Sequence, residues 1–303
     1  MNAGVLASAA VAELDRAVCS DGAPSARNLL VTVFGDVVAP IGPESEVTVH
    51  GLTTVLADFG VNERLVRTSL TRLVNDDLVA ARSSGRRSFY RIAPTAIDLF
   101  AAAEERIYRG QPAPWDGHWT VVVLDGAEST ADRRAALRNE LTVAGLGVIA
   151  PNVLASPIVS PATVTETVRL VGGFEQVLVL RSSTVPGHGV ADPVALARRC
   201  VDLDELERRY EALAARLGGF DDATLGALDD ARSAKLRLLV VSTFRRLVLA
   251  DPMLPSELLP ADWAGTRARA EAARVYRSVA GRADRHLARL LECPLATPES
   301  RFH

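Results

Sequence analysis

The 303-residue chain is 48% hydrophobic and 23% charged, with a formal net charge of -3. That balance suits a folded protein long enough for two or three domains, each with its own core, and excludes a disordered polyelectrolyte and a uniformly basic nucleic-acid coat. Cys19, Cys200 and Cys293 are few, odd in number and far apart, and His50, His118, His188, His286 and His303 never fall at ligand spacing. The cysteines and histidines therefore predict a reduced compartment without a structural zinc site. Residues 1–12 are apolar without a basic leading region, and no run of about 18 uncharged apolar residues follows, so the expectation is a cytoplasmic protein with no membrane partner.

Residues 1–23 read as a variable tail with one short helix at most. Ser25 to Val38 places Leu29, Leu30, Val33, Phe34 and Val37 on one side of a scaffold helix, although its β-branched residues also allow a strand; Gly42 and Pro43 end it. His50 to Phe59 then repeats apolar residues at Leu52, Val55, Leu56 and Phe59, and Gly60 supplies a turn. A second helix follows at Asn62 to Asp76. Asn62 is a good N-cap, Glu63 sits in the favourable first turn, and Val66, Leu70, Leu73 and Val74 form the inward stripe. The opposite face carries Arg64, Arg67, Thr68, Thr71 and Arg72. Arginine forks match phosphate oxygens or the acceptor edge of guanine, and threonine is short enough for a helix to settle into a major groove.

After Asp76 and Asp77 the period shortens from 3.6 to 2. Leu78 to Ser83 and Ser88 to Ile92 predict two strands joined through Ser84, Gly85, Arg86 and Arg87, a hairpin whose Arg86 and Arg87 can meet the DNA backbone or a narrow minor groove. Arg64, Arg67, Arg72, Arg82, Arg86, Arg87 and Arg91 face only Glu63, Asp76 and Asp77 between residues 61 and 91, so positive charge is concentrated here in an otherwise slightly acidic chain. Helix, turn, helix, strand and basic hairpin in this order predict a winged helix-turn-helix over 24–110. Arg82 and Arg91 also fit a plain exposed sheet face, and Phe89 and Tyr90 alternate between opposite faces, one of them an anchor for the hairpin.

Ile97 to Tyr108 is an amphipathic connector, and the turn-rich QPAPWDG of residues 111–117 is a linker. Trp119 to Leu124 is a buried strand, Ala131 to Val143 a helix, Val148 to Leu154 two strand ends around Pro151, Thr163 to Val171 a helix, and Gln176 to Arg181 a strand. This order predicts a small α/β sandwich over 118–190. Gly145, Gly147, Gly172 and Gly173 lack the strand-to-helix context of a dinucleotide loop and read as turns. The segment 191–303 is helical, with long amphipathic runs at Leu203 to Leu217, Asp222 to Leu249 and Thr266 to Leu291. Asp251 to Gly265 reads as an ordered loop strapped over these helices, with Trp263 packing inward.

LLVTVFGDVVAP at 29–40, FGVNERLVRTSLTRLVNDDLVAARSSGRRSFYRI at 59–92, PAPWDGHWTVVVL at 112–124 and FRRLVLADPMLPSELLPADWAG at 244–265 together resemble the phenylacetate-degradation repressor family, the PaaX-like transcriptional regulators. The resemblance covers about nine-tenths of the chain. It implies an α+β multidomain protein with an N-terminal winged helix-turn-helix, a central ferredoxin-like (Cas2-like) α/β sandwich and a C-terminal helical domain. It also implies a homodimer bound to double-stranded DNA with an inverted-repeat operator, a repressor of a catabolic operon released by an aromatic acyl-coenzyme A such as phenylacetyl-coenzyme A. Asn62 to Asp76 correspond to the family's recognition helix and Ser83 to Ser88 to its wing. The helical segment before FRR, which often carries Trp, His or Glu in the family, holds Ser242, Thr243 and Phe244 here, so no effector residue is assigned. Arg133, Arg134, Arg138, Arg181, Arg198 and Arg199 are available to phosphates, with solvated helix faces as the plainer reading.

Two other functions fit the same residues. A regulator or activator that ignores small molecules uses the same DNA contacts. A metal-dependent nuclease would use Asp125 after the first central strand, but one aspartate, with Glu128 and Asp132 near it, is short of the fixed set of oxygen ligands such cleavage needs, and Asp132 suits a helix first turn. The sequence therefore predicts no enzyme, metal site or bound cofactor.

Overall fold

The computed structural model describes residues 11–12, 25–110, 112, 114–124, 131–171, 177–184, 192–294 and 301–302. Packing divides the chain into two compact units, one formed by Met1–Gly110, Tyr210–Ala250 and Ala264–His303, the other by Gln111–Arg209 and Asp251–Trp263. Most of the C-terminal helices thus pack with the N-terminal segment and complete the core that it begins.

In the first unit, α1 (Ala26–Val33) starts where the Ser25 hydroxyl accepts the Asn28 N–H at 3.2 Å. It runs on through a wider π turn (Phe34–Val38) and a 3-10 turn (Ala39–Ile41) to Gly42, so the strand alternative fails. After β1 (Val47–Thr48), the Thr48 hydroxyl caps α2 (Val49–Ala57) by accepting from Gly51 N at 3.0 Å. α3 (Glu63–Asn75) begins at Asn62, whose side-chain oxygen accepts from Leu65 N at 2.9 Å. Its inward stripe is Val66, Ser69, Leu70 and Leu73; Val74, expected there, is only half-buried because the stripe turns past it.

β2 (Val79–Ser84) and β3 (Arg87–Ile92) form an antiparallel hairpin, and β1 pairs with the other edge of β3, giving the order β1-β3-β2. The loop is shorter than its sequence suggests. Ser84 pairs with Arg87 inside the ladder, leaving Gly85 and Arg86 as the two loop residues. Gly85 has φ of 60°, which favours glycine at the first position of a two-residue hairpin loop. α4 (Ile97–Glu104) continues as a π turn (Glu105–Arg109) that buries Ile107 and Tyr108.

α10 (Asp230–Ala250) and α11 (Ala264–Leu291) close this core: Ala234, Leu238, Ala283, Leu287 and Leu291 join Leu30, Leu52, Leu56, Leu70 and Leu73 in one cluster. A Cβ at Gly51 would lie 2.5 Å from the Leu290 carbonyl oxygen, so the close approach of α2 to α11 requires glycine there. Ahead of α10, α9 is short (Asp222–Gly226), and the run expected as one helix from Asp222 breaks at Ala227–Asp229.

A buried polar centre ties the ends of this unit together. Asp36, fully buried, accepts from Arg237 Nε at 2.7 Å, Tyr108 OH at 2.5 Å and Tyr276 OH at 3.1 Å, with Arg301 3.5 Å away. Burial alone would raise its pKa, but Arg237 and Arg301 outweigh it and hold the carboxyl below its ordinary value. Arg237 also pairs with Asp284, and Arg301 with Glu104. Phe302 packs edge-on against Tyr108 and Tyr276, at ring separations of 5.0 and 5.2 Å.

The second unit has β4 (Trp119–Leu124), α5 (Ala131–Val143), β5 (Gly147–Ala150), β6 (Val153–Ser156), α6 (Pro161–Val171) and β7 (Val177–Ser182). The strands form one antiparallel sheet in the order β5-β6-β4-β7, two interlocked split β-α-β units. Val122, Leu124 and Leu154 on one face pack with Leu137 and Leu141 of α5 and Val164 and Val168 of α6. α7 (Pro193–Cys200) packs against β5 and β6; α8 (Leu203–Gly218) follows, with its residues up to Arg209 in this unit and those from Tyr210 in the first. The 3-10 turn Ser256–Leu258 also packs on α7, so the proline-rich loop, expected with the long helices, clusters with this unit; Trp263 is buried, as expected.

Candidate nucleic-acid interface

Three side chains with no exposed surface, Val66, Leu70 and Leu73, hold α3 in the core and fix which face looks outward. That outward face carries Arg64, Arg67, Thr68, Thr71 and Arg72, spaced i, i+3, i+4, i+7 and i+8, all exposed. The five residues singled out from sequence therefore form one continuous stripe about two turns long. Asn75, one turn further and also exposed, extends it, an addition that the same spacing could have found.

Each side chain is differently prepared. Thr68 and Thr71 donate their hydroxyl protons to the Arg64 and Arg67 carbonyls at 2.8 and 3.0 Å, leaving oxygen lone pairs and methyl groups for an outside partner. Arg67 is held by Glu63, Nε to Oε1 at 2.8 Å. Both partners are more than half exposed, and such pairs contribute roughly 0–1 kcal/mol, so an incoming phosphate can displace Glu63. Arg64 and Arg72 make no ion pair among the described residues. Arg27 of α1 pairs at 2.5 Å with Asp76, the residue that ends α3, anchoring the far end of the helix.

The hairpin presents Arg86 in its loop and Arg87 beside it, both exposed. Arg86 has no ion-pair partner among the described residues, whereas Arg87 lies 3.4 Å from Glu292 after the end of α11. Arg82 and Arg91 are engaged on the sheet itself. Arg82 forks onto Glu46 with Nε at 3.0 Å and covers the Phe89 ring at 4.8 Å; Arg91 pairs with Glu44 at 2.7 Å. The Arg82 hydrogen bond holds the Glu46 carboxyl below its ordinary pKa. Tyr90 packs against the core while Phe89 lies under Arg82, so the two rings do take opposite faces and Tyr90 is the anchor.

No group of three or more histidine, cysteine, aspartate or glutamate residues fit for a metal ion occurs among the described residues. Asp125 and Glu128 lie outside those residues; Asp132 is exposed in the first turn of α5. The Cys200 thiol is pushed up to about 11 by burial, the reverse of what a nucleophilic cysteine needs. No helix among the described residues is long and apolar enough to cross a membrane.

The arginine and threonine stripe of α3 and the arginine-tipped β2-β3 hairpin are thus two exposed basic features of the same unit. The chain belongs to the PaaX-like protein family. Residues 25–96 match the family's model "PaaX-like protein", 112–194 its "PaaX protein central Cas2-like domain" and 201–289 its "PaaX-like protein C-terminal domain". It is 31% identical over 259 residues to the transcriptional repressor PaaX of Escherichia coli K12, covering 84% of this chain and 81% of that protein. Among solved structures it is similar to the uncharacterized protein Rv0674 from Mycobacterium tuberculosis, with a TM-score of 0.56 and 24% identity over 87% of this chain and 99% of that one. Residues 112–194 of the second unit are thus Cas2-like, and the protein is mixed α+β, with two small antiparallel sheets among the described residues.

Proposed function

We propose that the protein is a sequence-specific DNA-binding transcriptional repressor, not an enzyme. The α2-α3 pair and the β2-β3 hairpin act as a winged helix-turn-helix: α3 enters the major groove and Arg86 and Arg87 meet the flanking backbone or minor groove. The observation that carries the reading is the single exposed stripe of Arg64, Arg67, Thr68, Thr71 and Arg72. It combines phosphate-binding forks with short side chains that can approach base edges. The curated relative's designation as a transcriptional repressor supports the regulatory sign.

A homodimer would place two such helices about 34 Å apart and read an inverted repeat. Its support is the second unit's sheet, where Leu178 and Leu180 on β7 are 55% and 42% exposed, an apolar surface that a second copy can cover. As a reader of chromosomal DNA the protein works in the cytoplasm. An effector of the aromatic acyl-coenzyme A class, such as phenylacetyl-coenzyme A, releases it by binding more tightly to a conformation that no longer fits the operator.

The test is binding to the intergenic DNA upstream of its own gene, at physiological salt with competitor DNA, followed by addition of phenylacetyl-coenzyme A and related thioesters. Specific binding lost with one thioester supports the full proposal. Specific binding that no thioester alters keeps the DNA assignment and overturns acyl-coenzyme A control; absence of sequence-specific binding to genomic fragments overturns both.

A further inference from the structure

We infer that the first unit binds a small apolar monocarboxylate, of about one ring and a short side chain, in the cavity between α1, α4 and α10, with Arg245 as the residue that receives the carboxylate. The inference stands apart from the DNA-reading proposal, since it rests on other residues and is read by ligand binding alone.

The cavity measures about 270 Å³ and its walls are mainly apolar, with Val31, Leu78, Leu99, Phe100, Ile107 and Leu249 among them. Three charged side chains besides Arg245 reach it, and each is occupied. Asp36 is held by Arg237 and two tyrosines, Glu104 by Arg301, and Arg27 by Asp76. Arg245 is the exception. Among the described residues its buried Nε has no hydrogen-bond partner, its only hydrogen bond is a long one of 3.5 Å from a terminal nitrogen to the Asn28 carbonyl, and no carboxylate pairs with it. Burial and the neighbouring Arg246 both disfavour its charge. Buried guanidinium groups are ordinarily paired, because taking the charge out of water without a counter-ion is strongly unfavourable.

The walls and the charge together specify the ligand. A planar carboxylate matches the guanidinium fork, and the rest of the molecule must be uncharged and apolar. A cavity of about 150 Å³ accepts benzene, while sites for drug-sized molecules run from about 300 to 1,000 Å³, so the space here suits one ring with a short carboxyl-bearing arm. A coenzyme A thioester is the wrong ligand for this cavity: its bulk exceeds the space, and its acyl end offers Arg245 no negative charge.

Calorimetric titration of the full chain with benzoate, phenylacetate and 3-phenylpropanoate, with their neutral amides and with phenylacetyl-coenzyme A, tests the inference. At least one acid is expected to bind saturably with one site per chain, and its amide at least about tenfold more weakly, the loss of a charge-assisted hydrogen bond. Arg245→Gln should lose at least about tenfold in acid affinity. Ala103→Phe, which fills the cavity and leaves every charge in place, should abolish acid binding; thermal melting confirms that both variants fold. Equal binding of acid and amide, no binding of any acid at millimolar concentration, or unchanged acid affinity in a folded Arg245→Gln or Ala103→Phe protein overturns the assignment.

Discussion

Replacing Asp36 by asparagine keeps the shape of the buried centre and removes its charge. In the wild-type protein the carboxylate faces Arg237, itself almost fully buried, and lies near Arg301, while two phenol groups donate to it. Breaking a buried pair by removing one partner costs about 3–5 kcal/mol. Arg237 retains Asp284 and Arg301 retains Glu104, so the expected loss is at the low end, about 3 kcal/mol. With a urea slope of about 1–3 kcal/mol/M, that moves the unfolding midpoint down by about 1 M or more. Far-UV circular dichroism reads it through the long helices. Fluorescence reads the other unit, where Trp115, Trp119 and Trp263 all lie, and serves as the internal reference.

The pH dependence follows with its sign. The Asp36 pKa is lowered in the folded protein, so the unfolded chain takes up the proton first as pH falls. The stabilisation is fully present above the unfolded value near 3.8 and is lost as pH falls through the lower folded value. The wild type and Asp36→Asn should therefore differ at neutral pH and converge in strong acid. A loss below about 1 kcal/mol at pH 7, or a gap that widens on acidification, would refute the reasoning.

Three further outcomes are expected. Arg67→Ala or Arg72→Ala should weaken operator binding without lowering the melting temperature, since both side chains are exposed; unchanged affinity for both at physiological salt removes them from the interface. Replacing Arg86 and Arg87 together should lower affinity and flatten the dependence of log affinity on log salt by about 0.9 for each phosphate no longer neutralised, and an unchanged slope counts against a role for the hairpin at the DNA backbone. Gly51→Ala should destabilise by about 1–3 kcal/mol because its Cβ meets the Leu290 backbone, whereas in an unobstructed helix the same change stabilises by about 1 kcal/mol. The sign of the melting shift decides whether α11 lies that close.

The sequence by itself determined the local elements that hold the candidate interface. The period-3.6 stripe of Val66, Leu70 and Leu73, the Asn62 cap and Gly85 between two alternating runs each act over a few residues, so their consequences can be read without knowing what lies beyond them. The same spacing put the arginines and threonines of α3 on one face. Three features depended on tertiary structure. The C-terminal helices join the N-terminal core because Ala234, Leu238, Leu287 and Leu291 supply the apolar surface that α1, α2 and α3 cannot bury against one another, a match between segments far apart in the chain. Asp36 is a lone acid in an apolar helix, and its partners Arg237, Tyr276 and Arg301 come from distant segments, so the polar centre exists only in the folded chain. Arg245 looks like any helix-face arginine in one dimension. Only the packing of α1, α4 and α10 around it leaves that charge at an apolar wall with no counter-ion among the described residues, because burial and the absence of a partner are properties of assembled surfaces and not of any stretch of chain.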